Sequence, residues 1–147
     1  MRYCSGLKAQ TVVDALQESP LIEAIDFGSC KSMHMSVLTG LAHLKLKKLG
    51  LAWLARDDWL TLVGDHFKLL EELDLRYCEQ VTTLRHLRPC IQLRSINLEE
   101  CRRLRDIRVL RFCPHLVTCQ LSGTDCVSHE QMVEVLGEET LAAVRAF

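Results

Sequence analysis

Leu69–Cys78 reads LLEELDLRYC, and its skeleton L-x-x-L-x-L-x-x-C falls on Leu70, Leu73, Leu75 and Cys78. The same skeleton returns 23 residues later as LRSINLEEC, on Leu93, Ile96, Leu98 and Cys101. It returns again after 23 more as LVTCQLSGT, on Leu116, Cys119, Leu121 and Thr124. Towards the N-terminus the step is 24: Leu46, Leu49, Leu51 and Leu54 fill the slots, and before them Ile22, Ile25, Phe27 and Cys30. Within each motif the apolar residues alternate with polar ones, the period of a strand with one buried face. Self-similarity at a fixed period near 24 predicts a solenoid in which each unit buries its apolar face only by stacking on its neighbours.

Between the strands the spacing predicts outer helices. Val37, Leu38, Leu41 and Leu44 line one helix, and Trp59, Leu62, Val63, Phe67 and Leu70 line the next, with Asp57 or Asp58 as its cap. Val81, Leu84 and Leu87, then Leu104, Ile107 and Leu110, serve the fourth and fifth units. Pro89 and Cys113-Pro114 stand where each crossover must stop. Ser128-His129-Glu130-Gln131 reads as a capping box and Gly137 as the end of the last helix. Strands reached by repeated crossovers must be parallel. Residues 1–147 are thus expected to form one domain, with a partial first coil at 1–20, coils from about 21, 45, 69, 92 and 115, and a last strand at about 141–146. No capping segment is evident at either end, so the sequence predicts that a partner covers one or both edges.

Hydrophobic residues make up 48% of the chain and charged ones 25%, which supports a core and argues against disorder. A net charge of −1 gives no general case for nucleic acid or an acidic membrane surface, and no apolar run approaches a membrane span. The eight cysteines do not read as a disulfide framework. Cys30, Cys78 and Cys101 share one repeat slot, with Cys4 near it; Cys90 and Cys113 share another, and Cys119 replaces a core leucine. Such rows are expected to be buried and reduced, which points to an intracellular protein, cytoplasmic or nuclear. A mitochondrial reading rests on Arg2 and Lys8 preceding the first acid, Asp14.

These residues resemble the cysteine-containing leucine-rich repeats best known from F-box substrate receptors. The match is L-x-x-L-x-L-x-x-C followed by V/I/L-x-x-L-x-x-L, carried nearly whole by Leu70 to Leu87 and Leu93 to Pro114. Leu54, Thr124 and Cys119 depart from it. The resemblance implies an α/β fold, a right-handed leucine-rich-repeat solenoid with parallel strands on the concave face, helices on the convex face and a repeat of 23–24 residues. It implies an adaptor function; the F-box cluster that would give a ubiquitin-ligase role is not visible in the sequence.

No nucleotide-binding, nucleophile-elbow or zincin motif occurs, and no cofactor, metal site or small-molecule substrate is indicated. Met33-His34-Met35 could offer soft copper ligands but reads as a helix entry. The better candidate is the exposed sheet face. Stacking places Asp26, Gly50, Asp74, Asn97 and Gln120 in one row, Gly28, Ala52, Arg76, Glu99 and Ser122 in a second, and Ala24, Lys48, Glu72, Ser95 and Thr118 in a third. Arg76 is expected to pair with Glu99. Partner-binding candidates are therefore Asp26, Lys48, Glu72, Asp74, Arg76, Asn97, Glu99 and Gln120. Arginines crowd the fourth and fifth coils, and Arg102, Arg105 and Arg108 are expected on the convex side as a dock for an acidic protein or RNA. The sequence thus points to a non-enzymatic protein-interaction module, a subunit or adaptor of a larger assembly. The alternatives are the substrate-recognition part of a ubiquitin ligase lacking its F-box, or an RNA-binding subunit using the arginine face.

Overall fold

The computed structural model describes residues 9–17, 19–30 and 33–137. Cys4, the segment 1–7 that would meet the first edge, and the strand expected at about 141–146 lie outside the described residues. The fold is α/β, built on a five-stranded, all-parallel sheet in the order β1-β2-β3-β4-β5. The strands are β1 (Ala24–Asp26), β2 (Lys48–Gly50), β3 (Glu72–Asp74), β4 (Ser95–Asn97) and β5 (Thr118–Gln120). Ala24 pairs with Lys48, Lys48 with Glu72, Glu72 with Ser95 and Ser95 with Thr118. The steps of 24, 24, 23 and 23 follow the sequence period. Each strand is short, but the parallel ladder runs on past it: the N–H of Phe27, Leu51, Leu75 and Leu98 donates to the carbonyl of Gly50, Asp74, Asn97 and Gln120.

Leu49, Leu73, Ile96 and Cys119, central in their strands, are buried on one side of the sheet. They join a single core with the crossovers, in which Leu51, Leu75, Leu84, Leu93, Leu98, Leu104 and Ile107 are wholly enclosed. Each such leucine stabilises the fold by about 2 kcal/mol against exposure. Leu54, aligned with the cysteine slot, is only partly buried, and its neighbour Ala55 takes the interior position.

The crossovers depart from expectation. Helices α1 (Ala9–Gln17), α2 (Ser36–Gly40), α3 (Asp57–His66) and α4 (His129–Leu136) are present. The fourth and fifth coils carry no α-helix; they carry 3-10 turns at Arg85–Leu87 and Arg108–Phe112. The reason is in the spacing. Trp59, Leu60 and Val63 bury a helical face of period near 3.6, whereas Val81-Leu84-Leu87 and Leu104-Ile107-Leu110 repeat every three residues, the 3-10 period. Gly64 of α3 lets the 3-10 turn approach: a Cβ there would lie 1.9 Å from the His86 carbonyl oxygen.

Side chains expected to cap helices also tie coils together. Asp58 Oδ1 accepts from Trp59 N–H at 3.0 Å, at the start of α3. Asp57 reaches into the next coil, accepting from the Thr82 N–H at 2.8 Å, the Thr82 hydroxyl at 2.5 Å and the Thr83 N–H at 3.3 Å. Burial alone would raise the Asp57 pKa, but these bonds to its ionised form outweigh it and hold the carboxyl below its ordinary value. Ser128 caps α4 by accepting from Gln131 N–H at 3.3 Å. The box is only half formed, because the Gln131 amide turns to the previous coil, accepting from Ile107 N–H and donating to the Arg105 carbonyl.

Candidate functional site

The far side of the sheet carries the polar rows, and the register brings them together as the sequence implied. Lys48 and Glu72 face each other on adjacent strands and form an ion pair at 2.7 Å. Asn97 Nδ2 donates to Gln120 Oε1 on the next strand. Arg76 pairs with Asp74 rather than Glu99, through Nε at 3.0 Å and Nη2 at 2.8 Å. The reason is local geometry: the chain turns after β3 and folds Arg76 back over the carboxylate two residues earlier. That pairing, with Glu99 and Asp26 nearby, raises the Arg76 pKa further.

Three of the eight candidates also have a structural task. Asp26, Asp74 and Asn97 each accept, through Oδ1, the N–H of the residue two further on: Gly28 at 2.8 Å, Arg76 at 3.0 Å and Glu99 at 3.0 Å. These Asx turns lead the chain off each strand, which accounts for Asp or Asn there without any ligand. Lys48, Glu72, Glu99 and Gln120 have no such task, and Lys48, Glu72 and Gln120 are exposed.

Two residues at the rim of this face went unread in the sequence. Four residues after each central strand residue the backbone turns left-handed: Ser29 (φ 64°), Trp53 (70°), Tyr77 (58°), Glu100 (59°) and Gly123 (72°). The first four donate their N–H to a carbonyl of the next coil, Ala52, Arg76, Glu99 and Ser122, which holds the turn. Left-handed backbone costs an ordinary residue about 1–2 kcal/mol and is rare for bulky ones. Trp53 and Tyr77 nonetheless occupy it side by side, with ring centroids 4.3 Å apart and planes 7° from parallel. Trp53 remains 56% exposed. The signal was present as two aromatics 24 residues apart in one repeat slot, just beyond the strand positions.

The stack stands between two recesses. One, of about 150 Å³, opens onto the sheet face and includes Asp26, Gly28, Ser29, Ala52 and Arg76. The other, of about 480 Å³, is lined by Met33, Arg56, Trp59, Cys78, Glu79 and Gln80. Trp59 is 3% exposed, and its Nε1 is the one buried side-chain polar atom without a hydrogen-bond partner among the described residues.

The arginines sort differently from expectation. Arg102 lies in the turn after β4 and donates to Glu100 at 2.8 Å. Arg105 is exposed, its N–H bonded to the Thr82 carbonyl. Neither lines the recess of about 190 Å³ where Arg108 meets Arg85, Arg88 and Arg111 around Phe112. There Arg88 and Arg111 lie over the Phe112 ring at 4.5 and 4.9 Å, and Glu134 of α4 pairs with Arg108 and Arg111. The dock foreseen as Arg102, Arg105 and Arg108 is therefore not one cluster.

The seven described cysteines are free thiols, and all but Cys126 are buried. Burial pushes Cys78 up to about 11 and Cys90, Cys101 and Cys119 up to about 12, so none of these four is a ready nucleophile. His34 Nδ1 accepts from Ser36 N–H at 3.3 Å at the entry to α2, the helix-entry role that its sequence neighbourhood suggested. Among the described residues no His, Cys, Asp and Glu cluster suits a metal ion, and no helix is long and apolar enough to cross a membrane. No family model and no curated protein matches the chain.

Proposed function

We propose that the chain is a non-enzymatic protein-interaction module, a leucine-rich-repeat solenoid of right-handed coils whose sheet lines a concave side, acting inside the cell as a subunit or adaptor of a larger assembly. The observation that carries this reading is the sheet face, where side chains from all five strands stand in register on the side away from the core. Such a face offers a continuous surface rather than a cleft for chemistry. Its charged members are Asp26, Glu72, Asp74 and Glu99 against Lys48 and Arg76, a balance of −2 that favours a basic partner. The substrate-recognition part of a ubiquitin ligase is one assembly of this kind.

The test is capture of partners by the full chain, with cross-linking to locate them. Reversal at Glu72 and Glu99 to lysine is expected to abolish capture while leaving the unfolding temperature unchanged, because neither side chain caps a turn. Capture that survives the reversal, with cross-links confined to other surfaces, overturns the reading.

A second reading follows from the arginine recess around Phe112, whose cations suit an acidic partner or RNA. Arg85→Glu with Arg88→Glu is expected to abolish any binding of a labelled single-stranded RNA at low salt. Absence of that binding in the wild type removes RNA.

A further inference from the structure

The recess beside Trp53 specifies its occupant more closely, and the argument rests on the interaction reading above. Along the row that carries Arg76 and Glu99 in later coils, the first two coils carry Gly28 and Ala52, both buried. The missing side chains leave the hollow of about 150 Å³. One face of Trp53 is covered by Tyr77. The other turns towards the first coil, where the equivalent left-handed position holds only Ser29, so it opens into the hollow. A rigid indole is thus presented flat to a small space at a backbone cost that packing alone does not repay, since Trp53 is more exposed than buried.

The hollow's charges narrow the choice. Asp26 and Asp74 both line it, and its one cation, Arg76, is engaged by Asp74 in a two-pronged ion pair. The recess is net negative. A nucleobase could stack on the indole, but its phosphates would meet these carboxylates. A proline could stack but leaves the charge unanswered. An ammonium answers the charge but is a compact, strongly hydrated point with no flat face to stack. A guanidinium is planar, stacks on tryptophan and pairs with a carboxylate at its edge. The volume is that of a side-chain head group, below the range of whole small-molecule sites.

We propose that Trp53, backed by Tyr77, is the receptor for an arginine side chain of the partner, whose guanidinium lies on the open face of the indole beside the Asp26 carboxylate. The partner segment is then a basic one, and the acidic sheet face receives its remaining charges.

The experiment measures binding of three labelled probes of equal length to the full chain at one salt concentration: an alternating Gly-Arg peptide, an alternating Gly-Lys peptide and a single-stranded RNA. The arginine peptide is expected to bind at least tenfold more tightly than the lysine peptide and to quench the exposed Trp53 emission. Trp53→Gly is expected to erase that preference; the fold tolerates it, because Gly123 holds the same position in the fifth coil. Asp26→Asn keeps the acceptor for Gly28 N–H and removes the charge, and is expected to weaken both peptides. Equal binding of the two peptides, an arginine preference that survives Trp53→Gly, no loss on Asp26→Asn, or tighter binding of RNA overturns the proposal. Its failure is separable from failure of the interaction reading: if partner capture persists in Trp53→Gly without any arginine preference, only this assignment falls.

Discussion

Cys78, Cys90, Cys101 and Cys113 each turn a thiol towards a backbone carbonyl of the preceding coil, those of Leu51, Phe67, Leu75 and Cys90. A cysteine is small enough for the stacked interior and still offers a weak donor, which a valine or alanine would not. Thr124 does the same work with a hydroxyl, donating to Leu121 of its own coil. The sequence revealed the cysteine rows because they recur at the repeat period; it did not reveal the carbonyl partners, which depend on how neighbouring coils meet. Of the described cysteines, Cys126 alone is exposed. Native chain treated with a maleimide and read by peptide mass spectrometry is expected to carry label at Cys126 first. Cys78, Cys90, Cys101 and Cys119 should react only at the rate of unfolding, and rapid native labelling at any of them would contradict the packing.

At the scale of elements, α3 and the 3-10 turn that follows β3 meet through a backbone approach rather than through side chains. Gly64→Ala has to displace the His86 carbonyl, which belongs to a hydrogen-bonded turn and yields poorly. The gain in helix propensity, about 1 kcal/mol, does not offset this, and a net loss of about 1–3 kcal/mol is expected from urea unfolding. Gly40→Ala in α2 meets only the Val13 side chain, which can rotate, and should cost less. Strand positions and register were legible, since alternation about Leu73 and Leu75 admits one pairing that buries both rows. The crossovers were only partly so. A spacing of three between Leu104, Ile107 and Leu110 satisfies one face of an α-helix over two turns as well as it satisfies a 3-10 turn, and only the shorter coil decides. The polar rows were legible for the same reason as the strands. Trp53 and Tyr77 were not, because their importance lies in a left-handed backbone and a mutual stack that no periodicity announces.

At the scale of the molecule, the raised thiols make stability depend on alkaline pH. Cys78 titrates at about 11 in the folded chain, and Cys90, Cys101 and Cys119 at about 12, whereas an unfolded cysteine ionises near 9. A folded pKa above the unfolded one means that the folded state holds protons the unfolded state has released. The stabilisation is therefore complete below pH 9 and is lost as pH rises through 11 and 12. Four such groups give a limiting slope of about 5 kcal/mol per pH unit between these values. The unfolding temperature is expected to hold steady to pH 8 and fall steeply above pH 9.5, less steeply in a Cys90→Ala variant. An unchanged melting curve to pH 11 would show that these thiols are hydrated.

The constancy of the ladder also governs how such a chain can change its length over generations. Leu75 N–H reaches Asn97 and Leu98 N–H reaches Gln120 by the same geometry. A gene that lost the codons for residues 76–98 would hand Leu75 directly to Gln120, with Asp74 beside Gln120 and every apolar row intact. Loss of a few codons fewer would turn those rows inside out. Heritable length variation in this protein should therefore come in whole coils, with each descendant gaining or losing one rung of its exposed face.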